Sequence, residues 1–418
     1  MAVAPRFGGR RLVASAASPA RGAPFMRVRA SGSFRRYQLD PKALEGGARR
    51  LRDDAAGLEK RLQSNRFRSI DHAGSEMNSI GWCRADGTTP RGFVAEDHWL
   101  GKVLGVALRI DQKKLPAGAL RVRRMEAEAA ERREAGERIA PARRREIVEK
   151  LETELMARVV PATALFALYW EPERARLLLN TTADGPNVAF RVLFRETFDA
   201  APEPLPTAAL AAQLLGAKEA KRVAEVAPAI FVDGGVVAVP ESPAFLGAEF
   251  LLWLWHQCET AGGKFELDPA GEVGVAFDAL LELGGAEGGG RVTVRGDTPT
   301  RAAEAGSALL AGKLPQKARL VLARGDRNYH VTLSAASLDL EAIKIEAEAE
   351  EITDENLRAG DEQRAGWLFE LCDLVDGLFA AFLELRLSAD FDAEVLPGMR
   401  DWIVARVRAR ARGAAAGR

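Results

Sequence analysis

Cysteine, histidine and tyrosine are scarce in this chain. Its 418 residues include three Cys, four His and three Tyr. Cys83, Cys258 and Cys372 lie far apart, no two at metal-ligand spacing, and their odd number argues against a disulfide framework. Buried, reduced thiols in a reducing cytosol are the expectation. His72, His98, His256 and His330 are equally scattered, with no H-E-x-x-H pair. There is no G-x-S-x-G elbow. No apolar run reaches the ~18 residues of a membrane span. The best candidate, Phe245–Trp255, is short and contains Glu249. Net charge is missing too, because 59 Lys and Arg balance 59 Asp and Glu. Small DNA-binding modules are usually basic, so a nucleic-acid reading must rest on where the charges sit.

Two apparent sites dissolve on inspection. Gly306 to Leu314 resembles a P-loop, but five residues separate its glycines and Leu314 stands where Mg²⁺ needs a hydroxyl. Asp53-Asp54 and the acids near 346–355 read as solvated charge. No metal site, no cofactor and no catalytic residue is expected, so the chain reads as a non-enzyme.

The pattern along the chain predicts an α+β fold: mixed sheets, a projecting charged helical hairpin and C-terminal helices. Residues 1–25 are Arg-bearing, acid-free and rich in Ala, Gly and Pro. They read as disordered or mis-assigned, with Met26 as the natural start. A central α+β domain is expected over 26–112 and 162–206. It opens with a strand over 25–39, then one amphipathic helix from Asp40-Pro41 to Ser64 through Leu44, Leu51, Leu58 and Leu62. Residues 113–161 are read as a helical tip, with helices opened by Pro116 and Pro141 and divided at Gly136. A second α+β domain is expected over 207–345. It includes strands at 230–232 and 236–239, a helix over 247–260 and a hairpin around Gly325-Asp326. An acidic linker, two C-terminal helices and a basic tail fill 346–418.

Local positive charge is the most informative feature. Residues 113–150 hold 12 Lys and Arg against 7 Glu, a net of +5, with few apolar residues. Lys113, Lys114, Arg143, Arg144 and Arg145 belong to this stretch. Lys313, Lys317 and Arg319 form a second cluster. Phosphate contacts need cations on one surface and no base-reading geometry. With no helix-turn-helix or zinc finger, any DNA binding should ignore sequence. The alternative is that these residues solubilise the surface beside neighbouring Glu.

Several segments, in order, resemble the RdgC family of recombination-associated proteins. They are Met26-Arg27-Val28-Arg29 with Phe34-Arg35-Arg36-Tyr37, then Glu76 to Trp82, Lys113-Lys114-Leu115-Pro116, Tyr169-Trp170-Glu171, and Ala311-Gly312-Lys313 before Ala318–Leu322. The resemblance implies a cytoplasmic, nucleoid-associated homodimer that closes as a ring on double-stranded DNA and restrains the RecA recombinase. Single strands are an alternative ligand. It also implies that Lys313 faces the DNA and that the hairpin closes the ring, with Val159, Val160 and Pro161 at the dimer contact. Here Pro161 stands where the family has an aromatic residue. Two other readings stay open, a metal-dependent nuclease and a protein-binding adaptor.

Overall fold

The computed structural model describes residues 31–40, 42–43, 47–73, 75–84, 87–135, 139–232, 245–285, 290–347 and 357–416. The 1–25 extension, the strand start at 25–30, the hairpin's dividing Gly136, the 233–239 turn and strand, and most of the acidic linker lie outside these residues. The described chain begins with β1 (Ser31–Gln38), α1 (Gly47–Asp53), α2 (Ala55–Ser64), β2 (Asn78–Cys83), β3 (Trp99–Leu100) and β4 (Val103–Gln112). The hairpin α3 (Ala117–Ala135) and α4 (Pro141–Met156) follows, then β5 (Ala162–Glu171), β6 (Arg176–Leu179), α5 (Asp184–Phe198) and β7 (Glu203–Pro204). Next come α6 (Thr207–Glu225), α7 (Phe245–Thr260), β8 (Lys264–Leu267), β9 (Gly271–Gly284), β10 (Val292–Arg295) and α8 (Ala303–Leu310). The last elements are β11 (Leu314–Arg324), β12 (Arg327–Ser334), β13 (Leu340–Glu346), α9 (Leu357–Arg386) and α10 (Leu396–Ala416).

The fold is α+β, as expected. Its thirteen described strands join in one sheet, ordered β10-β9-β11-β12-β13-β1-β6-β5-β4-β2, with β3, β7 and β8 paired at its side. All strand pairs are antiparallel, where the sequence had suggested mixed sheets. β1 is shared between the two halves of the chain. Ser31 to Phe34 pair with β13, and Arg35 to Gln38 pair with β6.

Side-chain alternation explains the two cores. In β6, Leu177 and Leu179 enter one core with Tyr37, Trp82, Trp170 and the α5 phenylalanines. Leu178 points the other way, into a core with Phe34, Tyr169, α7 and α9. A strand covered on both faces reads as an unbroken apolar run, as Leu177–Leu179 does. α5 buries Phe190, Leu193, Phe194, Thr197 and Phe198, the one-sided stripe of an amphipathic helix. The Trp82 indole N–H donates to Thr197 Oγ1 at 2.7 Å, so the Gly-Trp element locks β2 onto α5.

Three expectations change. The helix expected to run unbroken to Ser64 is divided at Asp54, whose carboxylate accepts the Gly57 N–H at 2.8 Å and caps α2. Residues 230–232 form no strand. α6 has no counterpart in the sequence reading. It is Ala-rich, and it bends at Gly216, whose φ of 78° is outside helical range. The Leu- and Trp-rich α7, a helix expected over 247–260, lies in the core. A Cβ on Gly247 would fall 1.8 Å from the Ala335 carbonyl oxygen, so a glycine is what lets this helix touch the sheet's turn.

α9 ties the halves together. Asp376 pairs with Arg36 at 2.6 Å, Asp373 pairs with Arg176 at 2.6 Å, and Glu370 pairs with Arg324 and Arg327 in the second half.

Candidate nucleic-acid interface

The hairpin leaves the sheet between β4 and β5. Its apolar content is thin, and among the described residues of 117–156 only Ile139, Ile147 and Met156 are buried hydrophobics. Val122 and Met125, one turn apart on α3, are exposed. Much of the positive charge is paired. Glu128 accepts from Arg124 at 2.8 Å and from Arg132 at 3.1 Å. Arg143 spans the two helices to Glu131 at 2.8 Å and also binds Glu146 at 2.9 Å. These bonds hold the Glu128 and Glu131 carboxyls below the usual range. The unpaired cations differ. Lys114, Arg121 and Arg145 are exposed and have no partner among the described residues. Arg144 is partly buried, and its Nε has no hydrogen-bond partner among them.

Lys113 is not a surface cation. It is 1% exposed, and its ammonium donates to the carbonyls of Asp71, Ala73 and Met156 at 2.8–2.9 Å. Expecting it beside Lys114 on DNA overlooked strand alternation, which sends neighbouring side chains in opposite directions. Val159, Val160 and Pro161 stand at the foot of the hairpin, where α4 hands over to β5, and not at its far end. Pro161 is buried, while Val160 is 86% exposed.

The second cluster lies on β11 and the turn before it. Gly312, at φ 76°, ends α8: its N–H donates to Leu309 and that of Lys313 to Ala308. The P-loop lookalike is therefore a helix stop. Lys313 Nζ donates to the Gly290 carbonyl at 2.7 Å. Lys317 pairs with Glu341 at 2.8 Å. Arg319 lies 3.7 Å from Asp278 and donates to the Ala342 carbonyl. The three share one region of the sheet, but their charge is largely answered across the strands.

A further cationic group was missed by sequence reasoning. Arg66, Arg68, Arg91 and Arg109 line an open cleft of about 410 Å³ whose only acid among the described residues is Asp71. The guanidinium of Arg109 lies 4.1 Å from the Phe67 ring centre and is tied to Asp111 at 2.7 Å. That bond raises its pKa further. No sequence pattern announces the group, because 43 residues separate its outermost members.

Little else is assembled for chemistry. No three His, Cys, Asp or Glu side chains among the described residues could hold a metal ion together. Cys83 and Cys372 are buried, and Cys258 is half-buried. Burial pushes the Cys258 thiol up to about 12 and that of Cys372 to about 11. No helix among the described residues is long and apolar enough to cross a membrane.

Residues 47–217 match a protein-family model described as "Putative exonuclease, RdgC". The resemblance drawn from the sequence therefore holds over this region, which includes β2 to β6, the hairpin and the arginine cleft. No curated protein matches the chain.

Proposed function

Taking residues 47–217 as an RdgC-family region, we propose that this chain binds double-stranded DNA without reading its sequence. It acts as a homodimer that encircles DNA, is cytoplasmic and nucleoid-associated, and limits RecA by occupying DNA. It works by binding and not by catalysis. One observation carries the reading: among the described residues, the hairpin exposes Lys114, Arg121 and Arg145 without acidic partners while burying few apolar side chains. Such a surface suits phosphates, which impose charge but no base-specific geometry. Val122 and Met125 on the same hairpin offer apolar area for a second copy.

Fluorescence anisotropy with two unrelated duplexes, over a range of salt, tests it. The expected result is equal affinity for both and a steep fall with salt. Changing Lys114, Arg121 and Arg145 together to Ala should weaken both equally. Salt-insensitive or absent binding at low ionic strength would end the proposal. Mg²⁺-dependent degradation of linear DNA by the pure protein would put a nuclease in its place.

A further inference from the structure

We propose that the cleft lined by Arg66, Arg68, Arg91 and Arg109 is a phosphoryl-binding site. Among the described residues, four guanidiniums and one carboxylate line one open space, and Asp111 beside it answers Arg109, so the charge left over is 4 − 2 = +2. The carboxylate, Asp71, accepts the Ser69 hydroxyl at 2.6 Å and pairs with none of the four arginines. Arg66, Arg68 and Arg91 repel one another with Asp71 as the one carboxylate among the described lining residues, and an anion relieves that repulsion.

The four arginines divide into support and ligands. Arg109 is spent on the fold. Two of its nitrogens hold Asp111, a third donates to the Gly87 carbonyl at 3.1 Å, and its plane covers Phe67. Arg66 makes one long bond, 3.4 Å, to the Arg91 carbonyl. The guanidiniums of Arg68 and Arg91 have no partner among the described residues. The backbone beneath them is fixed. The Arg68 carbonyl accepts Ser79 Oγ at 2.5 Å, and the Arg91 carbonyl also accepts Gln63 Nε2 at 3.1 Å. Free guanidinium forks on a fixed frame match the paired oxygens of a phosphoryl group. Phe67 is buried under Arg109 and offers no open ring for a base to stack on, so the ligand's phosphate is recognised and not its base.

The phosphoryl group can belong to a nucleic-acid strand, in which case the site deepens the DNA-binding reading and rests on it, or to a free nucleotide. Isothermal titration of the full chain with inorganic pyrophosphate at low salt tests the site directly. The double variant Arg68→Gln, Arg91→Gln changes two side chains at the surface, and circular dichroism checks its fold. Its affinity for pyrophosphate should fall at least about tenfold, as the loss of two charge-assisted bonds predicts. If pyrophosphate also displaces an oligonucleotide from the wild type, the strand is the source. If the oligonucleotide stays bound, the source is a free nucleotide. Equal pyrophosphate affinity in wild type and variant, or none in either, would overturn the site, whether or not the chain binds DNA through the hairpin.

Discussion

The Lys113 ammonium lies 2.9 Å from the Met156 carbonyl oxygen, so the residue that enters the helical hairpin is tied to the last residue of its second helix. The same ammonium holds the carbonyls of Asp71 and Ala73, which close the segment carrying Arg66 and Arg68. One buried cation thus joins the foot of the hairpin to the arginine cleft.

Lys113→Met should cost about 3 kcal/mol, because methionine keeps the stem but leaves three carbonyls without their donor. Chemical denaturation measures the loss. Lys114→Ala, at the exposed neighbour, should leave the midpoint unchanged and weaken DNA binding. Similar midpoints for the two variants would contradict the buried role of Lys113.

A second test concerns the pair inside the second half. Glu249 is 1% exposed and accepts from Arg386 Nε at 2.7 Å and from the Ala229 N–H at 2.7 Å. Arg386 also donates to the Ala227 carbonyl at 2.7 Å. Removing one partner strands the other charge, so Arg386→Met should destabilise by about 3–5 kcal/mol. Replacing both, Glu249→Leu with Arg386→Met, should recover part of that loss. A double variant weaker than the single would refute this coupling.

Acid should weaken the fold through His98. Burial pushes its imidazole below the ordinary 6.5, although Nδ1 lies 3.0 Å from the Gly105 carbonyl oxygen. As pH falls the unfolded chain takes up the proton first. Stability is therefore full above about 6.5 and is lost as pH drops toward the folded-state value. His256 is shifted the same way by burial and adds to the slope. Thermal midpoints between pH 7.5 and 5 should fall less steeply in His98→Asn than in the wild type, as an order-of-magnitude expectation from linkage. Parallel slopes would exclude His98 as the source.

Lys313 offers a test of the DNA path. Its one described side-chain bond is to a carbonyl, whereas Lys317 faces Glu341 and Arg319 faces Asp278. If DNA passes over this face, Lys313→Ala should lower affinity for all sequences alike and reduce the salt slope by about 1. Lys317→Ala should do less, because its charge is already answered. An unchanged slope for Lys313→Ala would take this face out of the DNA path.

Local signals were readable from sequence because the forces behind them are local. Residues 113–160 show the hairpin through Pro141 and its dense charge. The break at Asp54 escaped because one carboxylate's bond to the Gly57 N–H outweighed a continuous leucine pattern. Glu249 was visible as an anomaly in an apolar helix, but its partner lies 137 residues on.

The sequence by itself determined the α+β class, the charged hairpin and the RdgC resemblance. Those follow from periodicity, composition and ordered motifs along the chain. Only the tertiary structure decided which cations are free. It buried Lys113, paired Lys317 and Arg319 across strands, and gathered Arg66, Arg68, Arg91 and Arg109 around one cleft. The reason is physical: a charge's availability depends on what lies within a few ångströms of it, and those neighbours are set by strand register and packing between distant segments.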